Sequence, residues 1–158
     1  MKRRGFTSVE ALLAAAILAF ITAAVSGALM AGRQQSRLAQ DTVYASLLGR
    51  SLMDEIMRLP IADPLGYSTL GPDPGETRRS LYDNVDDYSG YTDGPNNITD
   101  LAGNTLSSEY QPFVRAVTIT ALAQSPTGWG RTINGFLVTV TVSRDGKTLV
   151  TLQRYACN

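Results

Sequence analysis

Between Phe6 and Met30 the only non-apolar side chains are Thr7, Ser8, Glu10, Thr22 and Ser26. Few folds accommodate such a run. As a helix it would extend about 38 Å at about 1.5 Å per residue, enough to cross a hydrocarbon core of about 30 Å with some tilt. Lys2, Arg3 and Arg4 precede it, which places the N-terminus on the cytoplasmic side and the rest of the chain across the membrane. The run exceeds the apolar stretch of about 7–15 residues usual in a secretory signal, although Ser26-Gly27-Ala28 offers the small residues of a cleavage site. Neither a signal nor a plain anchor accounts for Glu10. A charge near the bilayer centre costs about 2.5–3.5 kcal/mol on insertion scales, so a carboxylate here asks for a function.

The helix is expected to continue to about Leu59. Residues 33–59 lack proline and are rich in Gln, Arg, Leu, Ala and Met. Leu38, Ala45, Leu48, Leu52, Ile56 and Leu59 recur in steps of three, four and seven, forming one apolar stripe. Gln34, Gln35, Arg37, Asp41, Arg50, Asp54 and Arg58 cover the other faces, with Asp54 and Arg58 one turn apart. Gly27 and Gly32 are weak points, and Pro60 drives Leu59 out of the helical region. The first half of such a helix needs lipid or a helical bundle, and the second half needs a sheet.

Residues 60–110 read as loop. Pro60, Pro64, Pro72 and Pro74 mix with Gly66, Gly71, Gly75, Gly90, Gly94 and Gly103 and many Asp, Asn, Ser and Thr, with no sustained period. Short elements are expected there, for instance near Arg79-Ser80-Leu81-Tyr82. Residues 111–158 read as an antiparallel sheet of three or four strands. Phe113, Val117, Ile119 and Ala121 alternate with polar or small neighbours, as do Phe136, Val138, Val140 and Val142. Asp145-Gly146 favours a two-residue type I′ turn. A regular hairpin about it pairs Arg144 with Lys147, Val142 with Leu149 and Val140 with Thr151, leaving Thr141 opposite Val150 and Thr139 opposite Leu152.

Composition removes several classes of function. Lys and Arg balance Asp and Glu at 14 each, and the tight basic groups are residues 2–4 and Arg78-Arg79. Nucleic acid is therefore not an expected partner, since phosphate binding needs clustered cations. With no histidine in the chain, a His general base, a Ser-His-Asp triad and His-ligated zinc are all excluded. Cys157 is the only cysteine, so no disulfide forms within the chain.

Lys2-Arg3-Arg4-Gly5-Phe6-Thr7-Ser8-Val9-Glu10, followed by the Ala/Leu/Ile-rich segment, resembles the N-terminal signal of type IV prepilins and pseudopilins. Ser8-Val9 stands where large aliphatics are usual, and a proline common further along is absent. The resemblance implies cleavage by prepilin peptidase between Gly5 and Phe6, methylation of the Phe6 terminus, and Glu10 as the assembly carboxylate. It implies a leader of residues 1–5, a transmembrane and filament-core helix over 6–30, an amphipathic continuation over 31–59, a variable region over 60–110, and a sheet over 111–158. The fold class expected is α+β, a pilin-like lollipop of one long helix and an antiparallel sheet. Without the leader, 11 basic side chains face 14 acidic ones, a net of −3.

Leu48–Ile56 and Asp86-Asp87-Tyr88 resemble minor pilins of the mannose-sensitive haemagglutinin type. The same helix ending resembles the I-type minor pseudopilin of type II secretion. The expected role is thus non-enzymatic: a single-pass subunit of the bacterial inner membrane with its C-terminal domain in the periplasm. Such a subunit meets lipid, the peptidase, an inner-membrane assembly platform and other subunits of a pilus or pseudopilus. An uncleaved, membrane-anchored periplasmic binding module and a tethered hydrolase are the alternatives. The latter lacks any nucleophile motif, and nothing in the sequence brings Glu76 or Glu109 beside an Asp. Asp83, Asp86, Asp87 and Asp93 supply oxygen ligands suited to calcium, although their spacing is not that of an EF-hand. Trp129, between two glycines, is expected to pack on the sheet edge.

Overall fold

The computed structural model describes residues 7–67, 69–125, 127–128 and 130–157. Gly5, Phe6 and Trp129 lie outside the described residues. Two compact units divide the chain, Met1–Gln40 and Asp41–Asn158. Helix α1, Ser8–Ile56, supplies the secondary structure of the first unit's described residues and opens the second.

In the first unit α1 is long and apolar enough to cross a membrane by length and composition. Its Ala- and Leu-rich sequence has high helix propensity and runs through Gly27 and Gly32 without a break. Thr22 satisfies its hydroxyl locally by donating to the Leu18 carbonyl at 2.7 Å. Every described residue up to Gln40 is exposed.

The second unit opens with the amphipathic end of α1. Ala45, Leu48, Gly49, Leu52, Met53 and Ile56 are buried there, whereas Leu38, expected in the same stripe, is exposed in the first unit. The helix ends one turn before Leu59. Arg58 and Leu59 donate to Glu55 and Ile56 across i to i−3, tightening the chain ahead of Pro60. Asp54, expected to pair with Arg58, meets Arg154 of the sheet at 2.9 Å.

Four antiparallel strands follow in spatial order: β1 Thr92–Asp93, β2 Phe113–Gln124, β3 Ile133–Arg144 and β4 Lys147–Cys157. Asp145 and Gly146 both have positive φ, 51° and 75°, as a type I′ turn requires. Arg144 pairs with Lys147 and Ser143 with Thr148. The register then shifts, so that Val142 meets Val150, Val140 meets Leu152 and Thr139 meets Gln153. The regular hairpin read from the sequence is thereby corrected. Leu149 is the extra residue of a bulge, and beyond it every β4 side chain sits on the face opposite to that expected. The shift has a hydrophobic cause. It sets Val150, Leu152 and Ala156 on the side of Val138, Val140 and Val142, against the helix. Helix and sheet approach closely at Gly49, where an added Cβ would lie 3.2 Å from Leu152 Cδ1 and 3.3 Å from Val142 Cγ2.

Residues 60–110 are more than loop. They hold two 3₁₀ turns, Arg79–Leu81 and Asp86–Tyr88, besides β1, and they place Val85, Tyr88 and Ile98 in the core with 1% exposure or less. Tyr82, Tyr88 and Tyr91 stack edge to face, with centroids 5.0–6.5 Å apart.

Candidate functional site

Three polar arrangements stand out, and the first is at the start of α1. Glu10 Oε2 accepts from the Thr7 N–H and hydroxyl, each at 2.9 Å, while the Glu10 N–H donates to Thr7 Oγ1 at 3.3 Å. Thr7-x-x-Glu10 is a capping box, and the carboxylate also meets the positive end of the helix dipole. The Thr-x-x-Glu spacing is the signature of this box, which was missed where Glu10 was weighed only as an intramembrane charge. Around this turn Val9, Leu12, Leu13, Ile17 and Phe20 are all more than half exposed.

A buried charge network forms the second. Arg79 Nε lies 2.9 Å from Glu55 Oε1, an ionic contact without hydrogen-bond alignment. Its Nη1 donates to Tyr91 Oη at 2.8 Å and its Nη2 to the Thr99 carbonyl at 3.0 Å. The Tyr91 hydroxyl in turn donates to Asp93 Oδ2 at 2.9 Å. Arg115 grips Asp93 with both Nε, at 2.8 Å to Oδ1, and Nη2. Two arginines thus face two carboxylates, and α1, the first 3₁₀ turn, β1 and β2 are tied together. Burial first, then the Asp93 charge, pushes the Tyr91 hydroxyl up to about 12. Burial and the Glu55 carboxylate, to which Tyr88 donates at 2.5 Å, push Tyr88 up as well. Burial opposes the charge on Arg115, but pairing with Asp93 outweighs it and keeps the guanidinium charged.

This network corrects the expectation for Asp93. Both its oxygens are engaged by Arg115 and Tyr91, so it does not join the other acidic residues as a cation ligand. Arg115 was missed, yet it shares the parity of Phe113, Val117 and Ile119 on the inward face of β2. An arginine there needs a buried carboxylate.

The third arrangement is a cluster of acidic side chains from three turns, 63–66, 73–76 and 83–87. Asp63 Oδ1 accepts from the Leu65 and Gly66 N–H groups at 2.5 and 2.6 Å, and its Oδ2 accepts from Asn84 Nδ2 at 3.2 Å. Glu76 Oε2 accepts from the Asp73 N–H at 3.0 Å. Asp87 Oδ2 accepts from the Asp83 and Asn84 N–H groups, both at 3.0 Å. One oxygen each of Asp73, Glu76 and Asp87 lies within 4.8 Å of the other two. Among the described residues, no Lys or Arg forms an ion pair with Asp63, Asp73, Glu76, Asp83, Asp86 or Asp87.

Burial, a hydrogen bond with Asp63, and the Asp63, Asp87 and Glu76 charges push Asp73 up to about 6. Burial opposes the charge on Asp63 too, but the bond from Asp73 and those from backbone N–H groups hold it below the usual range. Burial and neighbouring carboxylates raise Glu76, Asp83 and Asp86. Of the four residues expected to offer oxygen ligands, Asp87 sits in the group of three and Asp83 beside it. Asp86 is buried outside that group, and Asp73 and Glu76 were not expected in it. No family model, curated protein or solved structure matches the chain.

Proposed function

We propose that the chain is a structural subunit, a minor pilin or pseudopilin, of a type IV pilus or type II secretion pseudopilus. The observation that carries this reading is a helix apolar on every side whose first turn holds a carboxylate, Glu10, directly after the motif Lys2–Phe6. A fully apolar helix requires lipid or a bundle of like helices. Peptidase cleavage after Gly5 would free an ammonium on Phe6, one turn from Glu10. In a low-dielectric bundle, Glu10 of an incoming subunit neutralises the ammonium of its neighbour, and removing either charge strands the other at a cost of about 3–5 kcal/mol. The helix is thus anchor first and filament core afterwards, with the peptidase, the inner-membrane platform and other subunits as partners. The folded unit is then carried in the periplasm and on the filament surface.

Intact-mass and N-terminal peptide analysis of the protein from its native membrane tests the reading. The expected terminus is Phe6 carrying one methyl group. A terminus at Met1 or Lys2, or a cut near Ala28, refutes it and leaves an anchored or secreted binding module.

A further inference from the structure

The two edges of the sheet differ. β1 is two residues long and runs directly into Gly94-Pro95, so it offers a neighbour almost no ladder. β4 is 11 residues long and contains no proline, and among the described residues its backbone pairs with β3 alone. Sheets blunt an open edge by shortness, proline, charge or a bulge. Here Lys147 and the bulge at Leu149 guard only the start of the strand. From Val150 to Cys157 the edge runs about 26 Å at about 3.3 Å per residue. The one charged side chain in that stretch is Arg154, and Asp54 holds it at 2.9 Å.

Two hollows follow one another along the open stretch. One, of about 390 Å³, is bounded by Arg50, Met53 and Asp54 of α1 and by Leu152, Gln153 and Arg154. The next, of about 270 Å³, separates Met57 and Ile61 from Ala156 and Cys157. No β3 residue lines either hollow, so both lie at the free side of β4. We propose that this edge takes up an extended segment of another polypeptide as a fifth strand, with a carboxylate at the first hollow and an apolar side chain in the second. Only an extended backbone matches a row of alternating N–H and C=O groups. Met53 and Met57 are flexible and polarisable, which suits apolar side chains of varied shape. Arg50 calls for the carboxylate. It is exposed and forms no ion pair among the described residues, and in its hollow two cations, Arg50 and Arg154, face the single carboxylate of Asp54. This inference is independent of how the N-terminus is processed.

The test is selection of peptides of about ten residues, a strand's length, from a displayed random library on the full chain in detergent. Fluorescence titration of the recovered peptides and amide exchange by NMR follow. Peptides that alternate apolar with polar residues and carry a carboxylate are expected, bound one per chain, with slowed exchange of amides between Val150 and Cys157. Arg50→Glu, at an exposed side chain without an ion pair, should fold normally yet weaken their binding about tenfold or more. Lys147→Glu, the same charge change ahead of the bulge, should leave binding unchanged. Recovery of no saturable binder, protection confined to other residues, or equal affinity in Arg50→Glu would each overturn the proposal. So would protection of 150–157 that rises with chain concentration in the absence of peptide, which would give the edge to a second copy.

Discussion

Replacing Arg115 by Met strands Asp93. The guanidinium donates twice to Asp93 and once, at 3.0 Å, to the Thr99 carbonyl, all from a side chain 3% exposed. Breaking one side of a buried pair costs about 3–5 kcal/mol. Asp93 would keep the Tyr91 hydroxyl at 2.9 Å and Arg79 Nη1 at 3.6 Å, so the lower end, about 3 kcal/mol, is the reasoned value. At about 4 °C per kcal/mol for a domain of this size, the melting midpoint should fall by about 12 °C. Adding Asp93→Leu removes the stranded charge while Arg79 keeps Glu55. The double variant should therefore melt above Arg115→Met alone, by an amount equivalent to about 1 kcal/mol or more. Near-ultraviolet circular dichroism of the full chain in detergent follows this directly, because Tyr82, Tyr88 and Tyr91 pack edge to face beside the network. A loss below about 1 kcal/mol in Arg115→Met, or two single-variant losses that simply add, would refute the claim that this pair is mutually dependent.

Gly49→Leu inserts a branched side chain where even a Cβ lies 3.2 Å from Leu152. Overpacking of about 1–3 kcal/mol should lower the same midpoint, and an unchanged one would mean that helix and sheet part freely there. Tyr88 and Tyr91 hold their protons more tightly folded than unfolded. The stability they contribute is whole below about pH 10, the unfolded value, and is lost as pH rises beyond it, for Tyr91 through about 12; tyrosinate absorbance should lag accordingly until unfolding releases it. At the membrane end, Glu10→Gln keeps an acceptor for the Thr7 N–H while removing the charge. If charge neutralisation drives assembly, Glu10→Gln should abolish incorporation into filaments as fully as Glu10→Ala does, whereas a purely capping role would spare it.

The parts of the fold set by local chemistry were legible in the sequence. A largely apolar run with high helix propensity reads as a helix long enough to cross a membrane, and Asp145-Gly146 favours the turn type seen. The bulge was not legible, because Leu149, Val150 and Leu152 give two competing alternations. Only the helix face against which β4 packs decides between them. Residues 60–110 misled by composition. Their turns are polar, but Val85, Tyr88 and Ile98 are singly spaced anchors that carry no period. The grouping of Asp73 and Glu76 with Asp87 escaped for a related reason: the turns that carry them are held by backbone bonds such as Val85 N–H to the Pro60 carbonyl and Gly71 N–H to the Asp86 carbonyl. Those contacts have no signature in spacing.

The bulge at Leu149 also acts as slack in the chain's phase. The turn and the first two pairs of the hairpin run in one alternation, and everything from Val150 onward runs in the other. Deleting Leu149 would leave an unbroken ladder with Val142 still opposite Val150, at the loss of one partly buried side chain. Deleting any one residue between Val150 and Ala156 would instead turn part of the inner face outward. Single-residue length changes in this hairpin are therefore tolerable at one position, and related chains that differ in length by one residue should differ there.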